Sequence, residues 1–286
     1  MNAQVVILGS RGFIGGELAR LFRETGQWQA IGLSSSDCNL LDLEQTARVL
    51  PTQPANAHWI MCSSVLLLRG EPVSIFDDNV AMARNVSQVL ASLPMSSFTY
   101  FSSADVYGRP PTQSPISENS PVGPTGHYGL SKYASERLLQ LGLSCPVTVL
   151  RCPGMYGPAD RGRSIVGQFI SKVRSGTEIE LAGGAFSLRD YVHSDDVFQV
   201  VSGLVSRRDL KHTILNLATG KSLPLLGLLD LISNVVGRPA LIRTVSPQTN
   251  PYDLIFDTRQ LREHLPAICF KSLQEGIRDY CQRSEH

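Results

Sequence analysis

The sequence predicts an α/β fold built on a doubly wound parallel sheet, followed by a smaller C-terminal α/β lobe. Short apolar runs typical of buried strands alternate with segments of helical period, and a glycine turn joins the first run, residues 5–8, to the first helical segment. The chain has 286 residues and 42% hydrophobic content, enough to bury the core of a large lobe and a smaller one.

The predicted elements follow one another in the order that such a sheet requires. Further strands are predicted over residues 28–33, 58–62, 98–101 and 147–151, and helices over residues 79–93, 128–141 and 164–175. A loop rich in proline, serine and glycine spans residues 108–126, and a long loop at the carboxyl ends of strands usually borders a ligand. From residue 157 the pattern becomes irregular, which marks the smaller lobe.

The glycine turn has the features of a nucleotide-binding turn. Gly9 permits a tight turn, Gly12 lets the backbone approach a pyrophosphate, and Gly15 allows close packing of helix on strand. The N-terminus of the following helix favours an anion. A glycine triplet alone is weak evidence, so this interpretation depends on its strand-to-helix context.

Tyr128 and Lys132 lie on one face of a predicted helix because they are four residues apart. A nearby ammonium favours the tyrosinate, so we expect the pKa of Tyr128 to fall toward neutrality and its hydroxyl to exchange protons with an alcohol or ketone. Ser103, upstream, would hold the substrate oxygen by a hydrogen bond. The alternative is an ordinary surface pair, and the surrounding motifs decide between the two.

The motifs together closely resemble those of the extended short-chain dehydrogenase/reductase family of nucleotide-sugar epimerases, dehydratases and reductases. The resemblance rests on the glycine spacing of residues 9–15, on Ser-Ser-x-x-Val-Tyr-Gly at residues 102–108 and on Tyr-x-x-x-Lys. Later matching segments are residues 150–158, 188–197, 216–220 and 257–261. The family resemblance implies that Ser103, Tyr128 and Lys132 are catalytic.

The resemblance also implies two lobes with different tasks. We expect a Rossmann-type NAD(P)-binding domain over residues 1–155 and a smaller substrate-binding lobe over residues 156–286, with about 188–218 returning to the first domain. The implied cofactor contacts are Gly9, Arg11, Gly12, Phe13, Ile14, Gly15, Ser34, Ser35, Asp42, Leu43, Cys62, Ser63, Ser64, Asn79, Tyr128, Lys132 and Pro153.

The residues after the second strand favour NADP(H) over NAD. NAD-specific sites place a carboxylate there against the ribose hydroxyls, whereas this chain has Ser34, Ser35 and Ser36. The serines can donate to a 2′-phosphate, and Arg11 in the glycine turn could supply a counter-charge. The alternative is that Arg11 points into solvent and that NAD is bound.

The segment after Ser103 distinguishes reaction types within the family. Dehydratases of the family have an acid pair at the positions of Ala104 and Asp105. Loss of the first acid argues against dehydration, and Ser-x-Asp-Val-Tyr-Gly is similar to the pattern of GDP-6-deoxymannose reductases. Asp105 is either a substrate contact or a turn residue that caps backbone N–H groups.

The substrate contacts that the resemblance implies are Ser103, Asp105, Arg161 and Arg189. Arg189 matches the arginine that contacts a nucleotide pyrophosphate, since a guanidinium suits a phosphate. A salt bridge from Arg189 to Asp190 or Asp195 is the alternative. Gly154 stands where the family has a substrate-binding asparagine, so the diphosphate is held differently or the substrate is another carbonyl compound.

The sequence therefore predicts an NADPH-dependent reductase of a keto group, the 4-keto of a nucleotide-activated deoxysugar. One alternative is an NAD-dependent 4-epimerase that retains its cofactor. Another is a non-catalytic NADP-sensing protein on the same fold, and the presence of Ser103, Tyr128 and Lys132 argues against it.

Composition limits the remaining possibilities. The formal net charge is +1 with no sustained basic block, so we expect no nucleic-acid partner. Without a leader or a long apolar run, a cytoplasmic protein is expected. The six cysteines form no Cys-x-x-Cys pair and are expected to be reduced and buried, with no metal site. Helices 79–93 and 128–141 pair two subunits in many relatives, which implies a homodimer.

Overall fold

The computed structural model describes residues 3–66, 72–182, 184–207, 209, 211–245 and 251–284. The strands are β1 (Ala3–Leu8), β2 (Trp28–Leu33), β3 (His58–Met61), β4 (Ser97–Ser103), β5 (Val147–Cys152), β6 (Gly154–Tyr156), β7 (Ile179–Ala182), β8 (Leu188–Arg189), β9 (Tyr191–His193), β10 (Thr213–Asn216), β11 (Leu223–Pro224) and β12 (Ile242–Val245). The helices are α1 (Phe13–Glu24), α2 (Leu43–Val49), α3 (Ser74–Leu90), α4 (His127–Gly142), α5 (Ile165–Ser175), α6 (Ser194–Val205), α7 (Leu225–Val236), α8 (Arg259–His264) and α9 (Leu273–Arg283).

The first compact unit consists of Met1–Arg109, Val122–Cys152 and Phe198–Leu215. Its six-stranded sheet has the order β10-β5-β4-β3-β1-β2, and the pairs from β2 to β5 are parallel. The order reverses direction at β1, as a doubly wound sheet requires. This confirms the predicted fold class, and the predicted strand 28–33 coincides with β2.

Apolar side chains hold this unit together because its strands are buried on both faces. Val5, Val6 and Ile7 have no exposed surface, and every residue of β5 is buried. Near-continuous apolar strands of this kind are typical of a parallel sheet covered by helices. The packing fixes where each strand ends, and therefore where the loops at the carboxyl edge begin.

The second unit consists of Pro110–Pro121, Pro153–Val197 and Asn216–His286. It contains three two-stranded sheets, β11-β8, β12-β7 and β6-β9, and an apolar core formed mainly by α5, α7 and α9. The chain passes into the second unit at Pro153, whereas the expected boundary followed residue 155. The segment that returns to the first unit is Phe198–Leu215, which is shorter than the expected 188–218. Pro110–Pro121 joins the second unit because Ile116 N–H donates to Ile255 O at 2.7 Å and Asp257 N–H donates to Ile116 O at 2.8 Å.

All six cysteines are free thiols. Cys38, Cys145 and Cys152 are buried, and Cys62 and Cys281 are half-buried. Cys269 is exposed, so the expectation of a buried side chain was wrong there. It lies in the segment between α8 and α9, outside the apolar runs on which that expectation depended. No helix within the described ranges is both long and apolar enough to cross a bilayer.

Candidate functional site

A cavity of about 340 Å³ lies at the carboxyl ends of the neighbouring strands β3, β1 and β2. Its lining includes the predicted contacts Gly9, Arg11, Gly12, Ser34, Ser35, Cys62, Ser63 and Ser64. The sequence analysis missed Leu8, Leu33, Cys38, Asn39, Leu40, Leu41, Val65 and Met82, which also line it. A cavity at this edge, where the strand order reverses, is the usual ligand position in a doubly wound sheet.

The glycine turn is so tight that larger residues do not fit at Gly9 or Gly15. Gly9 has φ 88°, and a Cβ there would lie 2.8 Å from the backbone nitrogen of Ser63. A Cβ on Gly15 would lie 2.3 Å from Gly9 O, so α1 could not pack against the turn. These close approaches fit the roles predicted for the two glycines, a tight turn at Gly9 and close packing of the helix at Gly15. Phe13, Ile14 and Gly15 form the start of α1 behind the cavity lining.

The turn after β2 combines serines, a guanidinium and a carboxylate. Arg11 is exposed, and its Nη1 donates to Ser36 Oγ at 2.8 Å, which ties the guanidinium to the turn. Asp37, which the sequence analysis did not consider, accepts from the backbone N–H of Ser34 at 2.8 Å and from its hydroxyl at 2.5 Å. These hydrogen bonds, together with the more distant charge of Arg11, lower the pKa of Asp37.

The residues that line the far end of the cavity are not the expected Asp42 and Leu43. Asp42 is the N-cap of α2 and accepts from Gln45 N–H at 3.0 Å, and neither it nor Leu43 lines the cavity. Leu40 and Leu41 line it instead. The reason is the tight turn before α2, which directs Asp42 toward its own helix.

Asn85 and Asn79 on α3 hold the two loops that line the cavity. The buried Asn85 donates through Nδ2 to Leu40 O at 2.9 Å. Asn79 accepts from Val65 N–H at 2.8 Å and donates to Val65 O at 3.0 Å. Asn79 is buried and does not line the cavity, so the structure gives it the role of a support for the loop after β3.

Tyr128 and Lys132 lie on the part of α4 that packs against the end of β4, where Ser103 is the last residue. Ser103 is the last residue of β4, and Tyr128 and Lys132 lie one turn apart on α4. Lys132 Nζ donates to Phe101 O at 2.7 Å and lies 5.9 Å from the centroid of the Tyr128 ring. A Cβ on Gly129 would lie 2.7 Å from Asp105 O, so this glycine allows α4 to approach the turn after β4.

Burial raises the pKa of Tyr128 above its ordinary value, and the charge of Lys132 opposes this shift. The sequence analysis expected the opposite net direction, because it considered the lysine and not the desolvation of the phenol. Burial also raises the pKa of Cys62 and raises that of Cys152 to about 12, while Lys132 opposes both shifts. These thiols are therefore protonated at neutral pH.

The substrate contacts predicted in the second unit have separate surroundings. Arg189 Nη1 donates to Tyr252 O at 2.6 Å, and its guanidinium carbon lies 4.7 Å from the centroid of the Tyr252 ring. Asp190 instead accepts from Thr219 Oγ1 at 2.7 Å, so the alternative salt bridge to Arg189 is not formed there. Arg161 is exposed and lines a different pocket, together with Arg174 and Arg283. Pro153, a predicted cofactor contact, also belongs to this unit.

Gly154 stands where the resemblance places an asparagine, and the structure explains why no side chain is present. A Cβ on Gly154 would lie 3.0 Å from Cδ1 of Tyr191. The ring of Tyr191 is buried and its pKa is raised by burial. An asparagine would therefore require Tyr191 to move.

His193, Asp195 and Asp279 form a cluster with ligand atoms within 4.8 Å of one another. Two cations already neutralise it, since Lys271 Nζ lies 2.6 Å from Asp195 and Arg283 Nη1 lies 3.1 Å from Asp279. Burial lowers the pKa of His193, which keeps the imidazole neutral. The geometry is that of an internal ion-pair network joining the start of α6 to α9.

The family model of the NAD dependent epimerase/dehydratase family matches residues 5–218, and the chain belongs to this family. A putative UDP-glucose 4-epimerase of Methanocaldococcus jannaschii is 28% identical over 173 residues, which are 58% of this chain and 55% of that protein. The dTDP-4-dehydro-6-deoxyglucose reductase of Escherichia coli is 28% identical over 183 residues, which are 62% of this chain and 57% of that protein.

A solved structure of UDP-glucose 4-epimerase from Thermus thermophilus, described as a complex with NAD, has a TM-score of 0.87 at 20% identity. The match covers 99% of both chains and establishes the shared fold. Among curated relatives, the chain spans 64%, 55% and 57% of the length of three of them.

Proposed function

We propose that this protein reduces a keto group with NADPH, and that its substrate is the 4-keto form of a nucleotide-activated deoxysugar. The observation that carries the proposal is that Tyr128 and Lys132 lie on the part of α4 that packs against the end of β4, where Ser103 is the last residue. The glycine turn fits the strand-to-helix connection of a dinucleotide-binding sheet, because a Cβ at Gly9 would clash with Ser63 and a Cβ at Gly15 would clash with the carbonyl of Gly9.

A bound nicotinamide dinucleotide would supply the hydride. In this proposal Tyr128 gives its proton to the carbonyl oxygen as the carbon accepts the hydride, and the ketone becomes an alcohol. The buried ammonium of Lys132 stabilises the tyrosinate that remains. Ser103 Oγ accepts from Asp105 N–H at 3.2 Å, which leaves its own hydrogen free to bind the carbonyl oxygen.

The preference for NADPH is supported by the turn after β2. Arg11 is anchored on Ser36 there, and guanidinium and hydroxyl groups are good donors to a phosphate. Both hydrogen bonds from Ser34 reach Oδ2 of Asp37, and Oδ1 remains an acceptor for a ribose hydroxyl, which is the feature of this turn that favours NAD.

An NAD-dependent 4-epimerase is the second candidate. It is favoured by solved relatives described as complexes with NAD, including one with UDP-glucose, although their identity to this chain is 18–21%. A non-catalytic sensor is disfavoured by the intact Ser103, Tyr128 and Lys132.

For the sugar nucleotide, we propose that Arg189 binds the diphosphate with the donors that Tyr252 does not occupy.

The first experiment is a fluorescence titration of the purified protein with NADPH and with NADH, combined with mass spectrometry of any cofactor that survives purification. We expect exchangeable NADPH to bind more tightly. Arg11→Ala should weaken NADPH binding by about 10- to 100-fold and leave NADH unchanged. Arg48→Ala, on the exposed side of α2, is the matched control and should change neither. Tightly retained NAD would favour the epimerase.

The chemistry is tested with Tyr128→Phe and a panel of nucleotide-linked 4-keto-6-deoxysugars. A reductase should lose most of its turnover in this variant and keep its affinity for cofactor, whereas the function of a sensor should not change.

We also propose a homodimer through α3 and α4, where Leu130 and Leu141 are 43% and 76% exposed. Light scattering of the purified protein measures its mass in solution, and the mass of a monomer would contradict this proposal.

A further inference from the structure

Asp105 forms an ion pair with Arg109 through one of its two carboxylate oxygens. Both residues follow β4, Asp105 in the 3₁₀ turn Ala104–Tyr107 and Arg109 two residues after the end of that turn. Arg109 Nε donates to Asp105 Oδ1 at 2.7 Å, and Nη2 donates to the same oxygen. The Asp105 side chain is 15% exposed and that of Arg109 is 43% exposed. The sequence analysis did not assign any role to Arg109.

The backbone of Asp105 is part of the catalytic group. Its N–H donates to Ser103 Oγ at 3.2 Å, and its carbonyl is the atom that approaches Gly129 most closely, next to Tyr128. The carboxylate therefore belongs to the turn against which the first turn of α4, with Tyr128, packs. Its negative charge disfavours the tyrosinate, as the direction of its effect on the pKa of Tyr128 indicates.

Two ionised groups face Tyr128 among the described residues. Lys132 lies on the same helix, Asp105 on the turn after β4, Tyr100 on β4 and Cys152 on β5. Burial raises the pKa of Tyr100 and of Cys152, so both are uncharged at neutral pH. The balance between Lys132 and Asp105 therefore sets the electrostatic environment of the phenol.

We propose that Arg109 is a positioning residue that holds the Asp105 carboxylate in an ion pair and so prevents an unpaired negative charge beside Tyr128. The inference rests on the proposed function in one respect, namely that Tyr128 moves the proton. The inference adds to the proposed function a role for Arg109, an exposed residue that lies just outside the motif of residues 102–108. Without Arg109, the carboxylate would turn toward the phenol and oppose Lys132.

The test compares Arg109→Met, Asp105→Asn and the double variant with the wild type. Arg137→Met removes an exposed arginine from α4 and is the matched control. Two readouts are used. The first is the pH dependence of kcat/KM. The second needs no turnover: the tyrosinate absorbance at pH 10, taken as the difference between each protein and the same protein carrying Tyr128→Phe.

We expect Arg109→Met to lower the ionised fraction of Tyr128 by about tenfold and to shift the apparent pKa in the pH profile upward by about one unit, the usual effect of one neighbouring charge. Asp105→Asn should shift both readouts in the opposite direction. In the Asp105→Asn background, removing Arg109 should change either readout by less than about twofold, because the carboxylate on which it acts is absent.

The inference is overturned if Arg109→Met matches Arg137→Met in both readouts, or if its effect is the same with and without Asp105. A failure of the proposed function has a different signature. In that case no keto sugar is reduced, yet the absorbance difference still reports whether Arg109 acts on Tyr128. Circular dichroism identifies any variant that does not fold. If Arg109→Met does not fold, Arg109→Lys replaces it. Because this variant keeps the positive charge, it should retain most of the wild-type ionisation of Tyr128.

Discussion

Glu136→Gln should destabilise the protein strongly, because Glu136 and Arg151 form a buried ion pair beneath the catalytic group. Glu136 lies on α4 one turn after Lys132, and Arg151 lies on β5. Their side chains are 0% and 2% exposed. Arg151 donates through Nε at 3.1 Å and through Nη2 at 2.8 Å, and Ser102 Oγ also donates to the carboxylate.

The magnitude follows from the charge that the substitution leaves behind. Removing one partner of a buried pair costs about 3–5 kcal/mol, since the other charge stays desolvated and unpaired. Glutamine keeps one carbonyl acceptor for Arg151, and the guanidinium carbon still lies 4.8 Å from the centroid of the Tyr107 ring. We therefore expect a loss near the lower end, about 3 kcal/mol.

The assay is urea unfolding of the wild type, Glu136→Gln and Glu24→Gln, with the free energy of unfolding extrapolated to water. Glu24 pairs with Arg20 at 2.7 Å on the surface of α1, and its loss should cost at most about 0.5 kcal/mol. The double variant Glu136→Leu with Arg151→Met should regain much of the stability, because it leaves no buried charge. Equal losses in Glu136→Gln and Glu24→Gln would refute the reasoning.

Two further substitutions test the cradle and the second unit. Gly15→Ala should weaken cofactor binding by at least about tenfold in calorimetry, because its Cβ would lie 2.3 Å from Gly9 O; Gly123→Ala, with nothing within 4 Å, is the control. Burial raises the pKa of Asp196 from its ordinary value near 4 to about 6. The wild type should therefore lose stability as the pH rises from about 4 to about 6. Asp196→Asn removes that loss and should be more stable by about 1–2 kcal/mol at pH 7 and not at pH 4; an equal difference in thermal unfolding at both pH values would contradict this.

Sequence reasoning reached the parts of the site that depend on local pattern. The glycine turn follows directly after a buried strand, and Tyr128 and Lys132 share a helix face, so both could be predicted. The lining residues Leu40 and Leu41 could not, because their position depends on Asn85, far along the chain, which binds the carbonyl of each.

Other misses had a local signal or a local cause. Helix α9 begins with a capping box, Ser272 and Glu275, whose spacing is visible in the sequence and was overlooked. The direction of the pKa shift of Tyr128 was wrong because burial is a property of the packed chain, and no motif reports it.

The edge strand β10 has a consequence for how the chain is synthesised. It pairs with β5 but lies far downstream of it, after most of the second unit has been made. A nascent chain that ends at Cys152 therefore has an open edge on β5, a strand that is buried along its whole length in the folded protein, and this is an aggregation risk until Asn216 has left the ribosome. The first unit thus has no contiguous minimal fragment, and a truncation designed at residue 152 should accumulate in inclusion bodies.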